Sequence, residues 1–175
     1  QATEAITKSL NLIQNLALDP KHSALIQAQV LNTQGSLQLA MGQTEAALNT
    51  WQLAEKAYAE AGDETGKLGS QINQAQALQT LGLYRSAQTT LEQVNQTLKA
   101  WPDSLLKATG LRSLGLALQV VGDLGRSQAV LQQSLAIAQQ FNSPADINTT
   151  LFSLGNTARA LQKPEALALY QKAAE

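Results

Sequence analysis

Apolar residues recur three or four positions apart along most of the chain, which is the spacing of one face of an α-helix. The run Leu111, Leu114 and Leu118 is typical of this pattern. The sequence lacks the alternation of β-branched and polar residues that marks a strand. The pattern therefore predicts an all-α chain of about nine helices, placed roughly at residues 3–18, 21–41, 44–61, 65–81, 84–100, 103–121, 124–140, 144–161 and 164–174.

The helical pattern itself repeats every forty residues, and three kinds of position fall in phase. The first is a small residue inside a helix, at Gly35, Ala75, Gly115 and Gly155. The second, seven residues later, is a turn position occupied by Gly42, Gly82, Gly122 and Gln162. The third, nine residues further on, is a large residue, at Trp51, Leu91 and Leu131. In the fourth copy Tyr170 arrives one residue early, so we expect a shorter turn before Pro164.

Each copy is predicted to be a helix, a short turn and a second helix. Glycine at the turn supplies a left-handed backbone conformation after the helix end. Inside a helix glycine costs about 1 kcal/mol relative to alanine, so Gly35 and Gly115 indicate a close approach of the partner helix. Ser143 before Pro144, with Asp146 three residues after the serine, predicts a serine-capped helix start.

These positions resemble the motif of the tetratricopeptide repeat family. The first copy matches that motif with Leu31, Gly35, Gly42, Ala47, Trp51 and Ala54. The second copy matches with Ala75, Leu78, Gly82, Ala87 and Leu91, and the third with Leu111, Leu114, Gly115, Gly122 and Leu131. The third copy is similar to the roughly forty-residue variety found in large bacterial signalling and scaffold proteins. The resemblance implies a right-handed α-solenoid of antiparallel helix pairs.

The resemblance also implies a domain organisation. One solenoid domain would cover residues 1–175, with copies at approximately 21–61, 65–100, 103–140 and 144–175. Residues 1–18 would be the second helix of a preceding copy. Because the chain starts at Gln1, we expect it to be a fragment of a longer protein or a processed product. We expect its last helix, near Leu167, Leu169 and Tyr170, to continue into another repeat or to support self-association.

Composition narrows the classes of partner. Hydrophobic residues make up 44% of the chain, which allows a packed core. The formal net charge of −1 provides no field to attract nucleic acid or an anionic membrane. No stretch reaches the roughly 20 apolar residues that a membrane-spanning helix needs. The absence of cysteine excludes disulfides and thiolate metal sites, and it leaves the cellular compartment open.

Few residues offer catalytic chemistry. His22 is the only histidine and stands at a predicted helix start, which suits an exposed terminal residue. Solvated faces and helix caps account for the acids Glu45, Glu55, Glu60, Asp63 and Glu64. The glycines of residues 110–115 and 122–125 follow no strand and lack the lysine of a nucleotide-binding loop. We therefore predict that the chain is not an enzyme and has no cofactor and no metal site.

In the resembling family the first helix of each pair lines a concave binding face. The matching positions in this chain are Gln29, Asn32, Thr33, Ser36, Ile72, Asn73, Gln76, Gln79, Arg112, Ser113, Leu116, Gln119, Thr149, Phe152, Ser153, Asn156 and Arg159. From this set we predict that the peptide-binding residues are Asn32, Ser36, Asn73, Gln76, Arg112, Gln119, Phe152, Asn156 and Arg159. Side-chain amides can pair with a peptide backbone, and the two arginines can hold a carboxylate or a phosphate.

The function that this face implies is a protein–protein interaction module that binds a peptide or a partner domain. Two alternatives stay open from the sequence. The amide-rich positions are also explained as ordinary solvated surface, and the chain is also explained as a structural spacer or self-association unit within a larger protein.

Overall fold

The computed structural model describes Lys8 and residues 19–174. Within that part of the chain it contains no strand and eight helices: α1 (Pro20–Ala40), α2 (Thr44–Ala61), α3 (Glu64–Thr80), α4 (Tyr84–Leu98), α5 (Leu105–Val120), α6 (Leu124–Gln140), α7 (Pro144–Ala160) and α8 (Ala166–Ala174). The all-α prediction is confirmed, and each of these helices begins and ends within about two residues of its predicted bounds. The predicted helix at 3–18 lies outside the described residues apart from Lys8.

Side-chain caps explain where four of the helices begin. In each of them the side chain of the N-cap residue accepts a hydrogen bond from the backbone N–H of the residue three positions later. The four N-cap residues are Asp19, Asp63, Ser104 and Asp123. A cap of this kind typically stabilises a helix by about 1 kcal/mol. The predicted start of α7 is confirmed, with Ser143 at the N-cap position and Pro144 in the first turn, but the Ser143 side chain makes no capping bond and its hydroxyl donates instead to Asp146 Oδ2 at 2.7 Å.

The turns that follow the first helices adopt the predicted left-handed conformation. The φ angle is +77° at Gly42 and Gly82, +87° at Gly122 and +55° at Gln162. A glycine adopts this conformation without the steric penalty of a side chain. The predicted shortening of the turn before Pro164 is wrong, since residues 161–165 separate α7 from α8, whereas only residues 121–123 separate α5 from α6.

The chain divides into two compact units, Gln1–Gly82 and Leu83–Glu175. In the first unit α1 and α2 are antiparallel, because Leu31 packs with Tyr58 while Leu39, later in α1, packs with Ala47, earlier in α2. Ala77 of α3 joins the second of these clusters, so α3 packs against the α1–α2 pair. The assignment of residues 1–175 to one solenoid domain stays a prediction.

Buried hydroxyl groups connect the helices of the second unit. Ser134 of α6 donates to the carbonyl oxygen of Ala108 in α5 at 2.8 Å and lies 3.4 Å from Thr150 Oγ1 in α7. Ser127, earlier in α6, lies 3.2 Å from Thr157, later in α7. The reversed order of these two pairs shows that α6 and α7 are antiparallel, as the repeat pattern predicts.

The in-phase glycines lie at close helix crossings, which confirms the role predicted for them. An added Cβ atom would lie 2.6 Å from Trp51 Nε1 at Gly35, 2.5 Å from Leu131 Cγ at Gly115 and 2.6 Å from Tyr170 Cε1 at Gly155. Non-bonded heavy atoms pack at about 3.5 Å or more, so the side chain of alanine would already collide. Tyr170 therefore takes the place of Trp51 and Leu131 in the fourth copy, despite its one-residue offset.

Candidate functional site

The predicted residues of the first unit share a surface on α1 and α3. Asn73 Nδ2 of α3 donates to Asn32 Oδ1 of α1 at 3.0 Å, and both side chains are half-buried. The backbone carbonyl of Asn32 accepts from Ser36 Oγ at 3.1 Å and from Trp51 Nε1 at 3.2 Å. Ser36 and Gln76 are exposed. The structure thus brings Asn32 and Asn73 into contact and ties Asn32 to the core tryptophan.

Arg112, one of the two predicted anion-binding residues, already has a partner. Its Nη1 atom lies 2.8 Å from Asp146 Oδ1, and the two side chains are only 18% and 21% exposed. The hydroxyl of Ser143 donates to the other carboxylate oxygen of Asp146. The Ser143 hydrogen bond and then the Arg112 guanidinium lower the pKa of Asp146, although burial opposes them. Arg112 therefore binds a carboxylate of its own chain, and Gln119 is half-buried later in α5.

Three predicted residues of the fourth copy converge on one open groove, which we call the α7–α8 groove. Its volume is about 750 Å³, and its lining residues are Asn148, Thr149, Phe152, Asn156, Arg159, Tyr170, Ala173 and Ala174. Phe152 is 55% exposed, which is unusual for a phenylalanine. The groove combines an accessible aromatic surface with amide groups and one guanidinium group.

Tyr170 organises the apolar part of the groove. Its ring covers Gly155, and its centroid lies 5.6 Å from that of Phe152 with an interplanar angle of 52°. Tilted aromatic pairs at this separation are favourable. The Tyr170 hydroxyl also donates to Asn156 Oδ1 at 2.8 Å. This bond fixes the orientation of the Asn156 amide, whose two Nδ2 hydrogens then face other partners.

Arg159 is the only charged residue among the described lining residues of the α7–α8 groove. Its side chain is exposed, and it forms no ion pair with any residue in the described part of the chain. The two arginines that were predicted to bind anions thus differ in whether they already have an ion-pair partner in the described part of the chain. The guanidinium of Arg112 is occupied by Asp146, whereas that of Arg159 is open to a ligand.

Sequence reasoning placed two residues on the wrong surface and missed four others. Ile72 and Ser153 were expected on the binding face, but they are 4% and 3% exposed and belong to the core. Four residues line the groove without having been predicted to bind: Asn148, Tyr170, Ala173 and Ala174. Asn148 could have been found, because it lies four residues before Phe152 and so on the same helix face. Tyr170 and Ala173 belong to a second helix, which the family-based mapping leaves out.

A second polar cluster lies in the first unit between α2 and α3. Glu55 accepts from Gln71 Nε2 at 2.7 Å and from Gln74 Nε2 at 2.6 Å. It borders an open cavity of about 410 Å³ that Lys56 and Lys67 also line. Two amides hold the Glu55 carboxylate, so this cluster resembles a solvated helix–helix contact more than a reactive site.

Among residues 19–174 and Lys8, no group of three or more histidine and acidic side chains is arranged to hold a metal ion. No helix in the same part of the chain is long and apolar enough to cross a membrane.

In fold, the chain is similar to solved tetratricopeptide-like helical repeat proteins. It is similar to BtubC from P. vanneervenii (TM-score 0.71, 23% identity, covering 99% of this chain and 66% of that one). It is similar to the tetratricopeptide-like repeats of a kinesin light chain from Podospora anserina (TM-score 0.70, 21% identity, covering 99% and 86%). It is also similar to PlcR from Bacillus thuringiensis, solved in complex with a peptide and DNA (TM-score 0.74, 17% identity, covering 99% and 62%).

These identities are low, so the similarity establishes the fold. The chain spans 66% of the length of BtubC and 62% of that of PlcR. No protein-family model and no curated protein matches the sequence.

Proposed function

We propose that this tetratricopeptide-like chain is a non-catalytic protein-interaction module, and that a peptide or a segment of a partner protein binds in the α7–α8 groove. The observation that carries the proposal is the convergence of Phe152, Asn156 and Arg159 on one open groove. Each of the three offers a different contact: apolar area, an oriented amide and a charge.

The size and chemistry of the groove suit a peptide segment. Binding sites for small ligands and side chains typically enclose about 300–1,000 Å³ and pair apolar walls with a few polar groups, and the groove holds about 750 Å³. Covering exposed apolar surface contributes about 25 cal/mol per Å². Phe152 and Tyr170 supply that surface, while Asn148 and Asn156 can bond a peptide backbone.

The similarly folded PlcR gives independent support for a peptide partner, since its structure contains a bound peptide. PlcR was also solved with DNA. A nucleic-acid partner is not part of this proposal, because the formal net charge of the chain is −1 and the described lining residues of the groove include a single cation.

A second candidate function is self-association through α8. Leu167 on that helix is 67% exposed, the highest exposure of any large hydrophobic residue in the described chain. Leu167 does not line the α7–α8 groove, so peptide binding and self-association can be tested with separate variants.

The proposal is tested by fluorescence anisotropy with a positional library of labelled hexapeptides. We expect the best members to bind with a Kd in the micromolar range, about −8 kcal/mol. Phe152→Ala should weaken that binding at least about tenfold, since it removes the main apolar contact. Phe141→Ala is the matched control, because Phe141 is also exposed (44%) and lies outside the groove. Equal binding by the wild type and both variants would refute the groove as the site.

A further inference from the structure

The polar and apolar groups of the α7–α8 groove form one straight stripe along α7. Asn148, Phe152, Asn156 and Arg159 follow one another at intervals of four, four and three residues, and this spacing keeps side chains on one helix face. All four line the groove. A ligand that follows the helix therefore meets an amide, an aromatic ring, a second amide and a guanidinium in that order.

The distance between the Phe152 ring and the Arg159 guanidinium determines how far apart the two recognised side chains of a ligand must be. Phe152 and Arg159 are seven residues apart, which is about 10 Å along a helix that rises 1.5 Å per residue. A peptide in the polyproline II conformation advances about 3.1 Å per residue and completes one turn in three residues, so side chains three residues apart face the same side. Three residues of such a peptide span about 9 Å, which matches the distance from the aromatic surface to the guanidinium.

The charges around Arg159 identify the chemical group of the ligand that would contact its guanidinium. No acidic residue lines the described part of the groove, and Arg159 has no ion-pair partner in the described chain. Arg112, on a neighbouring helix, shows what such a guanidinium binds in this protein: it holds the Asp146 carboxylate at 2.8 Å. Guanidinium groups bind carboxylates through parallel N–H donors.

The side-chain amide of Asn156, which lies between Phe152 and Arg159 on α7, has a defined orientation. Asn156 Oδ1 is occupied by the Tyr170 hydroxyl at 2.8 Å, so its Nδ2 group can donate to a carbonyl oxygen of the peptide backbone. Asn156 would thus hold the stretch of backbone that joins the two recognised side chains.

We infer that the α7–α8 groove selects a partner segment in the polyproline II conformation, in which an aromatic or large aliphatic side chain and an aspartate or glutamate side chain stand three residues apart. The apolar side chain packs on Phe152 and Tyr170, and the carboxylate bonds to Arg159. This inference rests on the proposed function, and it adds the chemistry and the spacing of the ligand.

The test uses hexapeptides that are acetylated and amidated, so that no terminal carboxylate contributes. One peptide carries tryptophan and glutamate three residues apart, a second has glutamine in place of glutamate, and a third has the glutamate next to the tryptophan. Each is made in both chain directions. We expect the first peptide, in one direction, to bind about tenfold or more tightly than the other two, because hydrogen bonds between charged groups are the strong ones.

Charge reversal tests the role of Arg159 directly. Arg159→Glu should lose the preference for glutamate and gain one for a peptide with lysine at that position. Arg85→Glu, a change of equal charge at an exposed position outside the groove, should keep the wild-type preference. Circular dichroism verifies the fold of each variant, and Arg159→Gln replaces the reversed variant if that one is unfolded.

The failures of the two claims are distinguishable. Equal affinity for the glutamate and glutamine peptides, with binding still lost in Phe152→Ala, would overturn the ligand assignment and leave the proposed function standing. Absence of binding by any peptide would overturn both. Self-association in sedimentation that Phe152→Ala abolishes and Leu167→Gln does not would put a second copy of the chain in the groove and overturn the assignment of a peptide ligand.

Discussion

At the scale of single residues, the two units treat equivalent buried hydroxyls differently. Ser134 and Thr150 lie together in the second unit, where Ser134 also donates to the Ala108 carbonyl. Eighty residues earlier the repeat places Ala54 and Ser70 at the same positions. Ser70 is 1% exposed and its hydroxyl has no hydrogen-bond partner in the described structure. The hydroxyl at this repeat position thus has a partner in Thr150 and, within the described residues, none in Ser70.

Two serine-to-alanine changes should therefore have opposite effects. Ser134→Ala should lower the free energy of unfolding by about 1–3 kcal/mol, because it removes a buried bond and strands the Thr150 hydroxyl. Ser70→Ala should leave stability unchanged or raise it, since it removes a buried polar group that bonds to nothing. Urea unfolding followed by circular dichroism measures both values. Equal losses in the two variants would contradict this account of the hydroxyls.

Two glycines offer a second comparison. Gly115→Ala should destabilise the chain by about 1 kcal/mol or more, because a Cβ would lie 2.5 Å from Leu131 Cγ and overpacking outweighs the better helix propensity. Gly125→Ala should stabilise it by about 0.5 kcal/mol, since no atom lies within 4 Å of a Cβ there. Thermal unfolding distinguishes the two. A midpoint for Gly115→Ala at or above that of wild type would mean that the crossing is not close.

At the scale of helices, the sequence predicts where each helix lies better than it predicts which side chains of different helices bond to one another. The forty-residue period locates the helices, the turn glycines and the small residues at crossings, because each depends on backbone geometry and on residues of one repeat. The bond between Arg112 and Asp146 joins residues 34 positions apart on different repeats, so no local pattern reveals it. The spacing of residues 143–146 predicts the start of α7, but it does not show that the Ser143 hydroxyl bonds to the Asp146 side chain and not to the helix backbone.

The Arg112–Asp146 contact between α5 and α7 predicts a dependence of stability on pH. The folded state lowers the pKa of Asp146, first through the Ser143 hydroxyl and then through Arg112. A lowered pKa contributes stability above the pKa of the unfolded chain, near 3.8, and this stability is lost as the pH falls through the folded pKa.

Asp146→Asn should therefore lower the melting temperature at pH 7, and its effect should shrink as the pH falls below the unfolded pKa, near 3.8, toward the lowered pKa of Asp146. Thermal melts at half-unit steps between pH 3 and pH 7 give the two curves. Parallel curves for wild type and variant would show that Asp146 has no linked contribution.

At the scale of the whole molecule, self-association is the second behaviour to measure. The exposed side chain of Leu167 should favour weak association at high protein concentration, because burying it removes apolar surface from water. We expect the weight-average mass in sedimentation equilibrium to rise with concentration and the variant Leu167→Gln to reduce that rise. A constant monomer mass for the wild type would rule out α8 as an association surface.

The most direct test of the central claim is to map where a peptide binds. The chain has a mass of 18.6 kDa, which suits two-dimensional amide NMR spectra. Titration with the best-binding library peptide should shift the resonances of residues 148–159 in α7 and 170–174 in α8, and leave those of α1 and α2 in place. Shifts concentrated on α1 to α3, or none with any peptide, would contradict the proposal that the α7–α8 groove is the binding site.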